Sequence, residues 1–280
     1  MPLTIKTTAL IELLTDLALT ADDYRGVHLR TVRGYWGSEP GEVTLLAGTS
    51  TNGYVLGHTW SYCEGSIDPH VWSVPDVGAA IALLKPLAQR DKNHTTDVAL
   101  EDGKVYIRET PGLFGADTEL SFEAMGDVED FPIARAARCL SGAPLPLPID
   151  HEGEPRPDTP RTTWMPGALE PLLKIAKRRK AQLHLFRTHA LQLHRVQIGD
   201  RYIGAVSPTV AFEHDDVDKP NIDPQFGDSI PQTNVTDDDE QWLKRLGILL
   251  PEHKPDDAVE VEDDRADEPT LTDNGQDGEE

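Results

Sequence analysis

The chain has 280 residues, a formal net charge of −23 and a hydrophobic content of 38%. This length accommodates one or two domains with a sizeable core, since domains usually run to about 100–200 residues. Residues 252–280 combine an acidic excess with almost no large apolar residue, which predicts a disordered acidic tail. Much of the net charge therefore belongs to this tail and says little about the folded surface.

The cysteines and the apolar runs exclude several classes of protein. Cys63 and Cys139 are the only cysteines and lie far apart, which argues against a disulfide framework or a thiolate metal site. No run approaches the ~18 apolar residues that a membrane span needs. The N-terminal run "LIELLTDLAL" contains Glu12 and Asp16 and has no basic leader or cleavage site. We therefore expect a cytoplasmic protein.

Three segments repeat one order of predicted elements, namely a short strand, a helix and a meander of three strands. We call residues 3–62, 71–126 and 162–208 the first, second and third units. Their predicted helices are "ALIELLTDLAL", "DVGAAIALLKPLAQR" and "GALEPLLKIAKRRK". The pattern predicts an α+β fold built from repeated units of one helix packed on an antiparallel meander.

The regions around the third unit are rich in proline and in polar residues. Residues 141–160 contain six prolines and are predicted to form an extended linker. We thus expect a domain over residues 1–140, a partial domain over 161–212 and a polar segment over 213–251. A short amphipathic helix is predicted at 237–250, which either docks on its own domain or serves as a tethered peptide for a partner.

The third helix concentrates positive charge in an acidic protein. Its cations are Lys174, Lys177, Arg178, Arg179 and Lys180. At about 100° per residue, Lys174, Lys177 and Arg178 lie opposite an apolar face that comprises Leu169, Leu172, Leu173 and Ala176. A solvated helix face with favourable C-terminal charges would account for these cations. Their single sign instead favours a surface for phosphates.

The second helix adds three cations, Lys85, Arg90 and Lys92. It also contains Pro86, which we expect to kink the helix or to shift its start.

Three short motifs resemble those of the DNA sliding clamps, the bacterial β clamp more than the eukaryotic proliferating-cell nuclear antigen. "TNGYVL", residues 51–56, is similar to the clamp's TDGHRL. "DVEDFPIAR", residues 127–135, resembles the GRFPDYR element that closes a clamp domain. "YIGAVSPTV", residues 202–210, resembles the terminal strand YVVMPMRL. The resemblance covers residues 1–212.

The resemblance implies a non-enzymatic DNA replication factor without a cofactor or metal. In that family the helices line a homo-oligomeric ring around duplex DNA and contact its backbone without reading sequence, and the ring tethers the polymerase. DNA polymerase and clamp-loader peptides bind a shallow apolar pocket. By resemblance this pocket includes Thr51, Gly53, Leu56, Val206 and Pro208, and the DNA-facing residues are the eight helix cations named above.

The chain departs from the family pattern in its number of units and in its first helix. We count three units, whereas two-domain clamps have four and three-domain clamps have six, and residues 10–20 contain no Lys or Arg. Either the ring closes with an unfamiliar number of copies, or residues 213–251 contain a degenerate fourth unit, or no ring forms. The alternative function is that of a clamp-like interaction module that binds replication-protein peptides without encircling DNA.

Other patterns favour structural roles. "QLHLF", residues 182–186, mimics the peptide that binds bacterial clamps, but it falls where a strand is due, with Leu183 and Leu185 as core residues. His184, His189 and His194 are interpreted as exposed strand histidines, because no Cys or carboxylate accompanies them at metal spacing. We find no residues that would support an enzyme.

Overall fold

A computed structural model describes residues 2–37, 40–110, 118–126, 128–141, 145, 149, 153–156, 158 and 162–209. The first unit contains β1 (Leu3–Lys6), α1 (Thr7–Thr20), β2 (Val27–Gly34), β3 (Val43–Thr51) and β4 (Val55–Tyr62). The second contains β5 (His70–Trp72), α2 (Val74–Arg90), β6 (Thr95–Glu101), β7 (Lys104–Glu109) and β8 (Glu119–Glu123). After α3 (Ile133–Leu140), the third contains α4 (Pro166–Arg179), β9 (Leu183–Phe186), β10 (His194–Ile198) and β11 (Tyr202–Val206). The predicted α+β class is confirmed. The predicted helix at 237–250 and the acidic tail lie outside the described residues.

The first two helices follow from their apolar periodicity and local start signals. In α1, the leucines at positions 10, 13, 14 and 17 are buried at helical spacing. Before α2, Ser73 Oγ accepts a hydrogen bond from Asp76 N at 3.2 Å, and Pro75 lies in the first turn, where its missing N–H costs little. The helix continues through Pro86 to Arg90, so Pro86 does not shift the start of the helix.

The first two units exchange their leading strands. A four-stranded sheet has the order β1-β6-β7-β8, and a seven-stranded sheet has the order β5-β2-β3-β4-β11-β10-β9. Thus β1 of the first unit pairs with β6 of the second, and β5 of the second pairs with β2 of the first. The largest core cluster contains side chains of α1, α2 and both sheets, and the exchanged strands enclose it.

The third unit extends the first unit's meander, since β11 pairs antiparallel with β4 from Tyr202–Thr59 to Val206–Val55. Unlike the first two units, it has no strand before its helix: residues 162–165 are not in a strand. The uniform three-part repeat predicted from the sequence is therefore wrong at this position.

The buried face of α4 differs from the prediction at Leu173 and Ile175. Ala168, Leu172 and Ile175 are buried against β10 and β11, whereas Leu173 is 59% exposed. The prediction places Leu173 on the apolar face, but the buried face is rotated by about one residue and contains Ile175 instead.

The short helix α3 was not predicted from the sequence. It buries Ala136, Ala137, Cys139 and Leu140 against Leu56 and Ala205. Leu56 and Val55 are neighbours in β4, and Val55 packs with α4, so α3 covers the sheet face opposite α4. Two turns of small residues provide too few periodic positions to distinguish this helix in the sequence.

Two further predictions in the third unit need correction. The strand at "QLHLF" is present, but Leu185 is 37% exposed because β9 lies at the sheet edge. His189 and His194 are buried rather than exposed, with 5% and 1% exposure, and burial lowers the pKa of His194. Within the described ranges, no helix is long and apolar enough to cross a membrane.

Candidate functional site

Three helices form a row with α1 in the middle. Helix α1 contacts α2 on one side and α4 on the other. It also packs on β3 and β4, while α4 packs on β9 and β10 of the same seven-stranded sheet. The helix of the third unit thus continues the row formed by the helices of the first two units, and the three helices form one surface.

The contact between α1 and α4 is a buried ion-pair cluster. The Asp16 side chain in α1 is fully buried. Arg178 Nε donates to Asp16 Oδ1 at 3.0 Å, and Arg179 Nε donates to Asp16 Oδ2 at 2.7 Å. The second nitrogens of the two guanidinium groups donate to Glu12 O and Thr59 Oγ1, at 3.1 and 2.8 Å. Several fixed partners therefore hold this buried carboxylate, as its desolvation requires.

This cluster corrects the expected arrangement of cations on α4. The Arg178 and Arg179 side chains are only 29% and 15% exposed, so Arg178 does not lie on a solvent-directed face opposite the core. Arg179 also lies 5.7 Å from the ring centroid of the buried Tyr202. Both residues bind the first unit, a role that "KRRK" alone did not reveal because the acceptor is 162 positions away.

The other predicted cations are exposed on α2 and α4 or directly after them. They are Lys85, Arg90, Lys92, Lys174, Lys177 and Lys180. Lys174 Nζ lies 2.7 Å from Glu170 Oε1, whereas the other five form no ion pair with a described residue. Lys180 ends α4 in the left-handed conformation, with φ of 52°. Because α1 contributes the exposed Glu12 and no cation, positive charge lies at both ends of the helix row and is missing from its middle.

A pocket of about 200 Å³ lies on the other side of the seven-stranded sheet. It is lined by Arg25, Thr51, Gly53, Leu56, Asp130, Pro132, Arg135 and Ala136. The structure thus brings together three residues of the predicted peptide pocket, all from "TNGYVL", with the "DFPIAR" segment. The resemblance had assigned "DFPIAR" to domain closure, so its residues were missing from the predicted site.

Local hydrogen bonds shape the "TNGYVL" turn at the pocket wall. Asn52 Oδ1 accepts from Tyr54 N at 3.0 Å and from Val55 N at 2.9 Å. Gly53 has φ of +88°, a region that disfavours residues with a Cβ. Asparagine therefore provides the turn's acceptor, and glycine provides its backbone conformation.

Val206 does not line this pocket. In the pairing of β11 with β4, Val206 lies opposite Val55, and both side chains are fully buried beneath α4. Ala205, opposite Leu56, faces α3 instead. The expectation for Val206 is wrong because the terminal-strand resemblance does not specify which alternate side chains face the pocket. Pro208 is buried beyond β11, and its contact with a peptide stays a prediction.

Thr7, His94 and Glu109 form a hydrogen-bonded series with the polar groups of a catalytic triad, but the Thr7 hydroxyl is not accessible to a substrate. Thr7 Oγ1 lies 2.6 Å from His94 Nδ1, and His94 Nε2 lies 3.2 Å from Glu109 Oε1. Thr7 is fully buried at the start of α1, and its hydroxyl also contacts Thr96 Oγ1 at 2.7 Å. These hydrogen bonds connect α1 to the four-stranded sheet, and in this conformation no substrate reaches the Thr7 hydroxyl.

Comparison with known proteins yields matches in structure but not in sequence. No protein-family model and no curated protein matches the chain. It is similar to a DNA polymerase sliding clamp from Pseudomonas aeruginosa, with 12% identity and a TM-score of 0.51, over 77% of this chain and 66% of that one. A β sliding clamp from C. crescentus matches with 14% identity and a TM-score of 0.52, over 75% and 65% of the two chains.

These matches establish the fold: the chain has the fold of the bacterial DNA sliding clamps. The resemblance inferred from the three sequence motifs is confirmed at this level. The matched region spans slightly less than two thirds of the length of the solved clamps.

Proposed function

We propose that this protein is a DNA sliding clamp, a non-enzymatic processivity factor that encircles duplex DNA as a homo-oligomer and tethers a DNA polymerase. The observation that carries the proposal is the clamp fold with three helices in a row, whose outer members expose cations. Lys and Arg side chains on such a surface attract DNA phosphates without reading base sequence.

The DNA-facing set is narrower than the sequence suggested. Lys85, Arg90 and Lys92 belong to the α2 end of the row, and Lys177 and Lys180 to the α4 end. Arg178 and Arg179 are left out of the test, because replacing them would leave the buried Asp16 carboxylate without its ion-pair partners. Lys174 is a weaker candidate, since Glu170 neutralises it.

Charge reversal tests this assignment. Replacing Lys85, Lys177 and Lys180 together by Glu is expected to weaken binding to a short duplex in low salt, measured by fluorescence anisotropy. The slope of log affinity against log salt should become shallower by roughly 0.9 for each phosphate that the variant no longer neutralises.

A control triple replacement by Glu makes the same change in charge at exposed positions outside the helix row, Arg25, Arg33 and Lys104. If both variants lose affinity equally, net charge rather than the helix row governs binding, and the assignment is wrong.

We further propose that the pocket formed by "TNGYVL" and "DFPIAR" binds peptides of the polymerase and the clamp loader. Its wall combines Leu56 and Ala136 with the charged Arg25 and Asp130, so an apolar anchor and a polar flank can both be accommodated. Burying one Leu or Phe side chain contributes about 1.5–3 kcal/mol, and a few such anchors give roughly micromolar affinity.

The second candidate is a clamp-like module that binds such peptides without encircling DNA. It is favoured by the lack of free positive charge in the middle of the helix row, where α1 exposes Glu12 and the two nearest arginines are held by Asp16. Light scattering after size-exclusion chromatography separates the candidates, since a closed ring requires a stable oligomer and a monomeric adaptor does not.

A further inference from the structure

The first two units complete each other by a reciprocal exchange. Their helices α1 and α2 pack together. Each leading strand covers the first meander strand of the other unit, β1 on β6 and β5 on β2. A single unit therefore leaves one helix flank and one strand edge open, and a second unit closes both.

The third unit has neither of these two closures among the described residues. Its first meander strand, β9, is the last strand of the seven-stranded sheet. Helix α4 contacts α1 on one flank, and no described helix packs on its other flank. The unit has the form of half a domain.

Apolar side chains are exposed where the missing half would lie. Eight large hydrophobic residues are exposed in the described part of the chain, and four of them belong to the third unit: Met165, Leu173, Leu185 and Phe186, with exposures of 43%, 59%, 37% and 52%. Leu173 is five residues from Arg178, and so about 140° around the helix. Because Arg178 reaches α1, Leu173 lies on the flank turned away from it. Leu185 shares a strand face with Leu183, which packs against the α4 cluster.

We propose that this surface is covered by the third unit of a second copy of the chain, so that the two α4 helices pack together about a two-fold axis. A two-fold contact uses the same patch on both subunits. An axis near Leu173 makes the two α4 helices antiparallel, so that the exposed Leu173 side chains of the two copies meet and exclude water.

Residues 210–280 would cover this surface less well than a second copy. Each completing unit spans a helix and four strands, as in residues 3–62 and 71–126, and residues 210–250 are shorter than either. They also contain many Asp and Pro residues and only one apolar run, at 242–250. Residues 252–280 carry an acidic excess that cannot fill an apolar flank.

The inference deepens the proposed ring by naming one subunit contact, but it rests on the unit geometry and not on DNA binding. A protein that dimerises here and does not hold DNA would contradict the proposed clamp function alone. A protein that encircles DNA while these surfaces stay apart would contradict the inference alone.

Sedimentation equilibrium of the full chain tests the contact. The subunit mass is 30.9 kDa, and we expect an even-numbered assembly that Leu173→Glu dissociates, with association weakened by at least about tenfold. Tyr24→Glu is the matched control, because Tyr24 is 90% exposed and lies outside the third unit. Circular dichroism should be unchanged for both variants. An assembly unaffected by Leu173→Glu, or a monomeric wild-type chain, would overturn the proposal.

Crosslinking through one introduced, exposed cysteine tests the symmetry independently of any destabilised variant. Both native cysteines are buried, so an introduced thiol reports alone. A two-fold axis near Leu173 predicts that Leu173→Cys forms a disulfide-linked dimer under mild oxidation and that Tyr24→Cys does not. Absence of the Leu173→Cys dimer would contradict the axis.

Deletion of residues 210–280 distinguishes a second copy of the chain from the chain's own C-terminal region as the group that covers this surface. The proposal predicts that the deleted chain still dimerises. If the full chain is monomeric and only the deleted chain associates, the chain's own C-terminal region covers the surface and the proposal is wrong.

Discussion

Replacing Asp16 by Ala should uncouple the third unit from the first and strongly destabilise the protein. The Asp16 side chain is fully buried and accepts from Arg178 and Arg179. Removing one partner of a buried ion pair costs about 3–5 kcal/mol, because the remaining charge keeps its desolvation penalty. Two arginines are left without their acceptor here, so we expect Asp16→Ala to fall within this range.

The arginine variants should be milder in a defined order. The Arg179 side chain is 15% exposed and that of Arg178 is 29% exposed, so solvent screens Arg178 more strongly. Arg179→Ala should therefore cost more than Arg178→Ala, and both should cost less than Asp16→Ala. Lys177→Ala, on the same helix but exposed, should stay within about 0.5 kcal/mol of wild type.

Urea unfolding monitored by circular dichroism measures these differences through the transition midpoint and its slope. The double replacement of Asp16 and Arg179 by Ala should cost less than the sum of the single changes, because the two residues share one interaction. If Asp16→Ala costs no more than Lys177→Ala, the ion pairs contribute nothing to the α1–α4 contact, and the reasoning is refuted.

Three other predictions concern pH, the pocket and the tail. Burial lowers the pKa of His28 to about 3 and that of His70 to about 4. Stability should thus be lost as pH falls below the unfolded value near 6.5, since the unfolded chain then binds protons that the fold excludes. His28→Gln should reduce the loss measured by urea unfolding between pH 6.5 and 5 by about 2 kcal/mol, and an unchanged pH dependence would show that His28 titrates normally. Ala136→Leu should narrow the pocket and weaken binding of a labelled peptide containing QLHLF by at least about tenfold, whereas Ala134→Leu, on the exposed side of α3, should not; equal affinities would exclude the pocket. Deleting residues 252–280 should leave the melting midpoint nearly unchanged and tighten DNA binding by removing an anionic competitor, and a large fall in the midpoint would show that the tail packs.

Most helices and strands can be predicted from the sequence, because their apolar periodicity is strong and local. The leucine spacing of α1 and the Ser73–Pro75 start of α2 both act within a few residues. The three clamp-like motifs also placed Thr51, Gly53 and Leu56 at a common pocket, as the structure shows.

What the sequence did not reveal depends on contacts between distant residues. Arg178 and a free surface cation look alike until Asp16 is placed beside α4. Val206 and Ala205 differ in role only through the sheet face that each one occupies, which follows from the pairing of β11 with β4. Likewise, Leu173 is exposed because of how α4 is rotated against β10 and β11, a rotation that a helical wheel fixes only to within about one residue.

Topological retention on DNA tests the central claim most directly. The protein is incubated in low salt with a nicked circular plasmid or with the same plasmid cut once, the salt is raised, and bound and free protein are separated by gel filtration. Phosphate contacts weaken steeply at high salt, so only an encircling assembly should stay bound. The account predicts retention on the circle, little on the linear DNA, and release when the circle is cut. Equal retention on circular and linear DNA would contradict it.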